Sequence, residues 1–109
     1  MNHIACERHA AFLLLRLEGE VDLSWSQQVR NELLDALDQR LPVGVELSAV
    51  SYIDSSGIAA LVEGFQKART RGCRFALVAI SDAVRAVLEL ARLDQVFPIV
   101  ADARALTAT

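Results

Sequence analysis

Val43-Gly44-Val45-Glu46-Leu47-Ser48-Ala49-Val50-Ser51-Tyr52-Ile53-Asp54-Ser55-Ser56-Gly57-Ile58 changes character partway along. Val43, Val45 and Leu47 alternate, which predicts a short buried strand leading into a loop over Ser48 to Asp54. From Ser55 to Arg71 the apolar residues are Ile58, Leu61, Val62, Phe65 and Ala68, the spacing of one helical face, and Gly72 is placed for the C-terminal cap. A strand, a polar turn and an amphipathic helix in that order form half of a strand-helix-strand unit. The fold class then depends on whether the flanking sequence repeats it.

It does on both sides. Upstream, Ser24 to Arg40 reads as a helix, with Trp25, Val29, Leu33 and Leu37 four residues apart, Ser24 and Gln27 matching a capping box, and Pro42 closing it. Phe12 to Glu18 reads as a strand with Leu13, Leu15 and Leu17 on one face and Arg16 and Glu18 on the other, broken by Gly19. Ile4 to Arg8 is a weak extra strand. Downstream, Arg74 to Ile80 has no polar face after Arg74, as a central strand requires. Ser81 or Asp82 caps a helix whose apolar stripe is Val84, Val87, Leu88 and Ala91, with Asp82 in its first turn and Arg92 near its end. Val96 to Val100 is a last strand, placed at a sheet edge because Pro98 cannot donate a ladder hydrogen bond. A short helix from about Asp102 completes the order. The expectation is an α/β fold with a mixed, largely parallel sheet and about four α-helices packed against it.

Composition narrows the function classes. The 109 residues, 53% of them apolar, predict one domain over residues 1–109. Mean hydropathy is positive, yet stretches such as Ala10 to Leu15 fall far short of the roughly 20 residues that span a bilayer, so no membrane insertion is expected. The first eight residues lack a basic region, apolar stretch and cleavage site, which predicts a cytoplasmic protein. Cys6 and Cys73 have no metal or redox spacing and read as reduced, separate and packed. A net charge of -3 gives nucleic acid or anionic lipid no electrostatic hold. Lys67, Arg69, Arg71 and Arg74 cluster near a helix end, favouring the dipole or, alternatively, binding phosphate.

No nucleotide-binding loop, zinc motif or nucleophile elbow is present, and His3 and His9 read as exposed structural residues. The expectation is a non-enzyme without cofactor or metal. The remaining signal is Asp54-Ser55-Ser56-Gly57, where a helix begins and backbone N–H groups favour an anion. The spacing admits two readings. It is an N-cap with two candidate capping residues, or it presents Ser55 for phosphorylation, with Gly57 letting backbone or a kinase come close.

These residues resemble the STAS domains of bacterial anti-sigma factor antagonists. Leu17-Glu18-Gly19-Glu20-Val21-Asp22 is similar to the family's first loop, Val45 to Ile58 to its phosphorylation motif, and Leu77 to Val87 to the strand, loop and helix that follow. The resemblance implies a STAS-type fold, phosphorylation on Ser55, and a partner-binding surface involving Asp22, Asp54, Ser56, Gly57 and Ile58. It implies partner switching: the unphosphorylated domain binds an anti-sigma factor serine/threonine kinase of histidine-kinase-like ATPase fold, and a phosphatase resets the phosphorylated form. Asp22 is otherwise a turn residue or cap for the following helix. Glu46 stands where the family often has Asp. Trp25 stands where smaller residues are common, as core or as partner contact. A rival implication is a cytosolic accessory subunit of a lipid-type ABC transporter, docking through the surface around Ser55 and Ile58. Oligomeric state is left open.

Overall fold

Leucines and valines alternate with polar or small residues through the middle of the chain, and the resulting strands stack side by side. The computed structural model describes residues 2–107. Its elements are β1 (His3–Arg8), β2 (Leu13–Val21), α1 (Leu23–Leu37), β3 (Val43–Ile53), α2 (Ser55–Arg71), β4 (Phe75–Val78), α3 (Asp82–Leu90) and β5 (Ile99–Val100), followed by a 3-10 turn at Ala103–Leu106. The sheet order is β1-β2-β3-β4-β5. β1 runs antiparallel to β2, and the other three pairings are parallel.

One face of the sheet carries the core. Leu13, Leu15, Leu17, Val43, Val45, Leu47, Phe75 and Leu77 are buried there with Val29 and Leu33 of α1, Leu61 of α2, and Val84 and Leu88 of α3. On the opposite face Leu106 of the 3-10 turn is seated on Gly44, where a Cβ would lie 2.7 Å from its Cδ1. Beside it Arg16 bridges Glu7 of β1 and Glu46 of β3, so the exposed half of that face is ionic. Glu46 thus has a structural partner, and Ser48 also donates to it at 2.8 Å.

The structure lengthens two strands beyond expectation. Gly19, at φ 109, bends β2 without ending it, and β2 continues to Val21. β3 does not give way to a loop at Ser48 but runs to Ile53. The cause is two register shifts, one between Arg16 and Glu18 and one between Gly19 and Glu20, through which β3 supplies extra residues. Inward positions become Val43, Val45, Leu47, Val50 and Ile53, so alternation is lost in the sequence while burial is kept.

Other boundaries also move. α1 starts at Leu23 with Asp22 as cap and stops at Leu37; no capping box forms, since Gln27 instead donates to Asn31. β4 is Phe75–Val78, shorter than Arg74 to Ile80. Ser81 caps α3, and Arg92 lies past its end at φ 58. β5 keeps only Ile99–Val100, at the sheet edge, because Phe97 is buried in the core and Pro98 cannot donate. Among the described residues there are three α-helices and the 3-10 turn rather than about four α-helices, since the segment after Asp102 closes only one short turn. Trp25 is 6% exposed, hence core. Cys6 is exposed on β1 and not packed; Cys73 is half-buried, and both are free. Lys67 and Arg71 both reach Asp38 just past α1, and Arg69 lies over the Phe65 ring, so these cations are tied to the far end of the helix pair. Among the described residues no helix is long and apolar enough to cross a membrane.

α1 and α2 meet at Leu33 and Gly64, where a Cβ on Gly64 would collide with the Leu33 side chain. Leu33→Ala is expected to cost about 2–5 kcal/mol of unfolding free energy and Gly64→Ala about 1–3 kcal/mol. The double variant should lose less than the sum, because the added methyl occupies vacated space. Urea unfolding at constant slope measures all three.

Candidate functional site

α1 and α2 open with the same device. In Asp22-Leu23-Ser24 the Asp22 carboxylate accepts from Ser24 N at 3.0 Å and from Ser24 Oγ at 2.5 Å. In Asp54-Ser55-Ser56 the Asp54 carboxylate accepts from Ser56 N at 2.9 Å, Ser56 Oγ at 2.6 Å and Gly57 N at 3.2 Å. An aspartate at the N-cap satisfies N–H groups that the helix itself leaves unpaired. In each case the residue between Asp and Ser is the first of the helix and faces solvent: Leu23 is 78% exposed, and Ser55 is exposed.

The two helix starts are tied together. Asp54 N donates to Val21 O at 3.2 Å, the last residue of β2 thus holding the residue that follows β3. Gly57 makes the approach possible: a Cβ there would lie 2.9 Å from Val21 O, 2.8 Å from Val21 Cγ1 and 2.7 Å from Ile53 Cγ1. The Ser56 hydroxyl holds the Asp54 carboxyl below its ordinary range, against the opposing effect of burial. The N–H groups of Gly57, Ser56 and Leu23 add to that effect. The Asp54 carboxylate thus caps α2 and draws part of its stabilisation from the start of α1.

Ser55, Asp54, Ser56 and Asp22 lie at this junction, Ser55 exposed and the other three half-buried. The Ser55 hydroxyl makes no side-chain hydrogen bond among the described residues. Gly57 and Ile58 are buried, Ile58 being 8% exposed. Gly57 admits the backbone of Val21, so its missing side chain serves an internal contact. Asp22 is the cap of α1, the turn or cap role the sequence offered.

Sequence reasoning missed two residues of this surface, Leu23 and the 49% exposed Tyr52. Tyr52 stands opposite Glu20 at the β2–β3 end, one residue before Ile53 turns inward. Had the Asp-x-Ser repeat been noticed, Leu23 would have been legible as the counterpart of Ser55. The segments Glu18 to Leu23 and Ser51 to Gly57 carry Glu18, Glu20, Asp22 and Asp54 and no Lys or Arg. Nearby, Ser81 donates to Val50 O at 2.6 Å and accepts from Val84 N, fastening the start of α3 to β3.

The site offers a solvent-facing hydroxyl at a helix start, with an apolar neighbour and an acidic surround. Among the described residues no group of three His, Cys, Asp or Glu is placed to hold a metal ion. His9 stacks on Phe12 with its Nε2 3.3 Å from Glu7, so it is engaged elsewhere.

Comparison with known proteins places these observations in a family. The family model for the STAS domain matches residues 3–105. The anti-sigma F factor antagonist of Paenibacillus polymyxa is 28% identical over 98 residues, covering 88% of this chain and 84% of that protein. Among solved structures, an anti-sigma factor antagonist from Mycobacterium paratuberculosis matches with a TM-score of 0.86 at 22% identity, over 97% of this chain and 91% of that one. The Bacillus cell fate determinant SpoIIAA in its phosphorylated form matches with a TM-score of 0.73 at 21% identity, over 94% and 95%. At such identities the structural likeness shows the fold.

The depressed Asp54 carboxyl fixes a sign for acid sensitivity. Its stabilising effect is present above the unfolded aspartate value near 3.9, and it is lost as pH falls through the lower folded value. Chemical denaturation at pH 7 and pH 3 should show Asp54→Asn losing less stability on acidification than wild type. Equal losses would remove Asp54 from the acid response.

Proposed function

Because the chain belongs to the STAS domain family, we propose that it is an anti-sigma factor antagonist, regulating transcription through a protein partner whose binding depends on the state of Ser55. The observation that carries this reading is the Ser55 hydroxyl: exposed, at the first residue of α2, and one cap away from exposed Leu23. The name of the Paenibacillus polymyxa relative supports the role, and the phosphorylated form of SpoIIAA supports a phosphoprotein reading.

The partner is an anti-sigma factor with serine/threonine kinase activity. Leu23 and Tyr52 give it apolar area to cover, and a neutral Ser55 lets that contact close. In the transfer, Ser55 Oγ attacks the γ-phosphorus of a nucleoside triphosphate, the bond to the diphosphate leaving group breaks, and a kinase base takes the serine proton. The product brings about 1.5 to 2 negative charges to the surface the partner must desolvate. Asp22 and Asp54 already make that surround negative, so the added charge weakens the complex, and a phosphatase restores it. The chain supplies an acceptor and a docking face and performs no catalysis in this scheme; its setting is the cytoplasm.

Incubation with such a kinase and MgATP should add one phosphate to the wild type and none to Ser55→Ala, read by intact mass. Ser55→Glu should bind the kinase more weakly than wild type. Unchanged phosphorylation of the alanine variant would exclude Ser55. Leu23→Ala should weaken kinase binding by about tenfold, with the thermal midpoint unmoved, since the side chain is 78% exposed. Binding to ABC transporter subunits, with none to the kinase, would replace this reading.

A further inference from the structure

Two serines stand side by side where α2 begins, and the structure treats them differently. We infer that Asp54 decides which of them accepts phosphate, locking Ser56 out of the reaction and leaving Ser55 open. This rests on the reading of Ser55 as acceptor given above.

Ser56 Oγ donates its only hydrogen to Asp54 Oδ1 at 2.6 Å. A phosphate ester on that oxygen has no hydrogen to give, so two acceptors would face each other at hydrogen-bond distance, with a dianion beside a carboxylate. Asp54 has little freedom to swing away. The same oxygen holds Ser56 N at 2.9 Å and Gly57 N at 3.2 Å, and releasing them uncaps α2. The incoming γ-phosphate, itself anionic, meets this carboxylate if it approaches Ser56. Ser55 lies one residue earlier, its hydroxyl exposed and outside this set of bonds.

The first helix supports the assignment independently. Ser24 stands to Asp22 as Ser56 stands to Asp54, donating both its N–H and its hydroxyl to the capping carboxylate. A serine at the second helical position is thus part of the cap in both helices. The difference in chemistry lies at the first position, Leu23 in one and Ser55 in the other. Asp54 is a positioning residue here; it touches neither nucleotide nor the reacting oxygen of Ser55.

Two measurements test the lock. After incubation with the anti-sigma-type kinase and MgATP, peptide mapping should find wild-type phosphate on Ser55 alone and none on Ser56 of Ser55→Ala. The double variant Ser55→Ala/Asp54→Asn should gain phosphate on Ser56, since asparagine keeps a carbonyl for the cap but carries no charge. Phosphate on Ser56 with Asp54 intact overturns the inference. So does a double variant that stays unmodified while Asp54→Asn alone still accepts phosphate on Ser55. Without any kinase, carbon-detected NMR titration should show the Asp54 carboxyl titrating at higher pH in Ser56→Ala and unmoved in Ser55→Ala. Indifference to Ser56→Ala sinks the lock alone, whereas a wild type that accepts no phosphate sinks the acceptor reading and leaves the titration to judge the lock.

Discussion

The carboxylate of Asp54 sits where two helices and two strands come together. It accepts from the Ser56 hydroxyl and from the first free N–H groups of α2, and the Leu23 N–H of α1 also supports its charge. The backbone of the same residue is held by Val21 O. A shorter polar residue would leave one of these groups unpaired, and an uncapped helix start beside the core is costly. α2 takes its cap from this one group, which lies beside the start of α1, whose own cap is Asp22.

That group is delivered by an irregular strand. β3 must cross the sheet and still end level with Val21, although β2 has fewer residues over the same span. The two register shifts absorb the excess. Each shift turns the following residues over, which returns Val50 and then Ile53 to the core. Tyr52 is turned outward by the same geometry. Gly57 then allows α2 to begin against the backbone of Val21, with no side chain intervening. Strand irregularity, cap and close approach are parts of one local arrangement, and it is local to the site.

Much of this was readable from residues. The helix from Ser55 to Arg71 with its Gly72 cap was legible because a sustained 3.6 period and a terminal glycine are local signals, and Gly72 is left-handed at φ 68. The edge position of the last strand followed from Pro98. The end of β3 was not legible, because inward residues three apart look like a loop or a helix when judged against alternation. Its regularity exists only in the partner strand's register. Leu23 was invisible for another reason: a helix read as starting at Ser24 leaves it in the connection, and only the Asp22 cap makes it the first, outward-facing residue of α1. The Ser24 and Gln27 pattern misled because Asp22, two residues upstream, competed for the same N–H groups and won.

Charge is distributed unevenly along this molecule. The strand-end rim carries Glu18, Glu20, Asp22 and Asp54 without a cation in those segments, whereas Lys67, Arg69 and Arg71 gather where α2 finishes. α2 has 17 residues, and a helix of that length separates its ends by about 25 Å. Acidic side chains therefore gather at the end of α2 that carries Ser55, while Lys67 and Arg71 at its other end are paired with Asp38. An acidic rim of this kind biases how a charged molecule approaches it, and that bias weakens as ionic strength rises. A phosphoryl group added at Ser55 would deepen that acidic rim, and so would change how the molecule arrives as well as how firmly it stays.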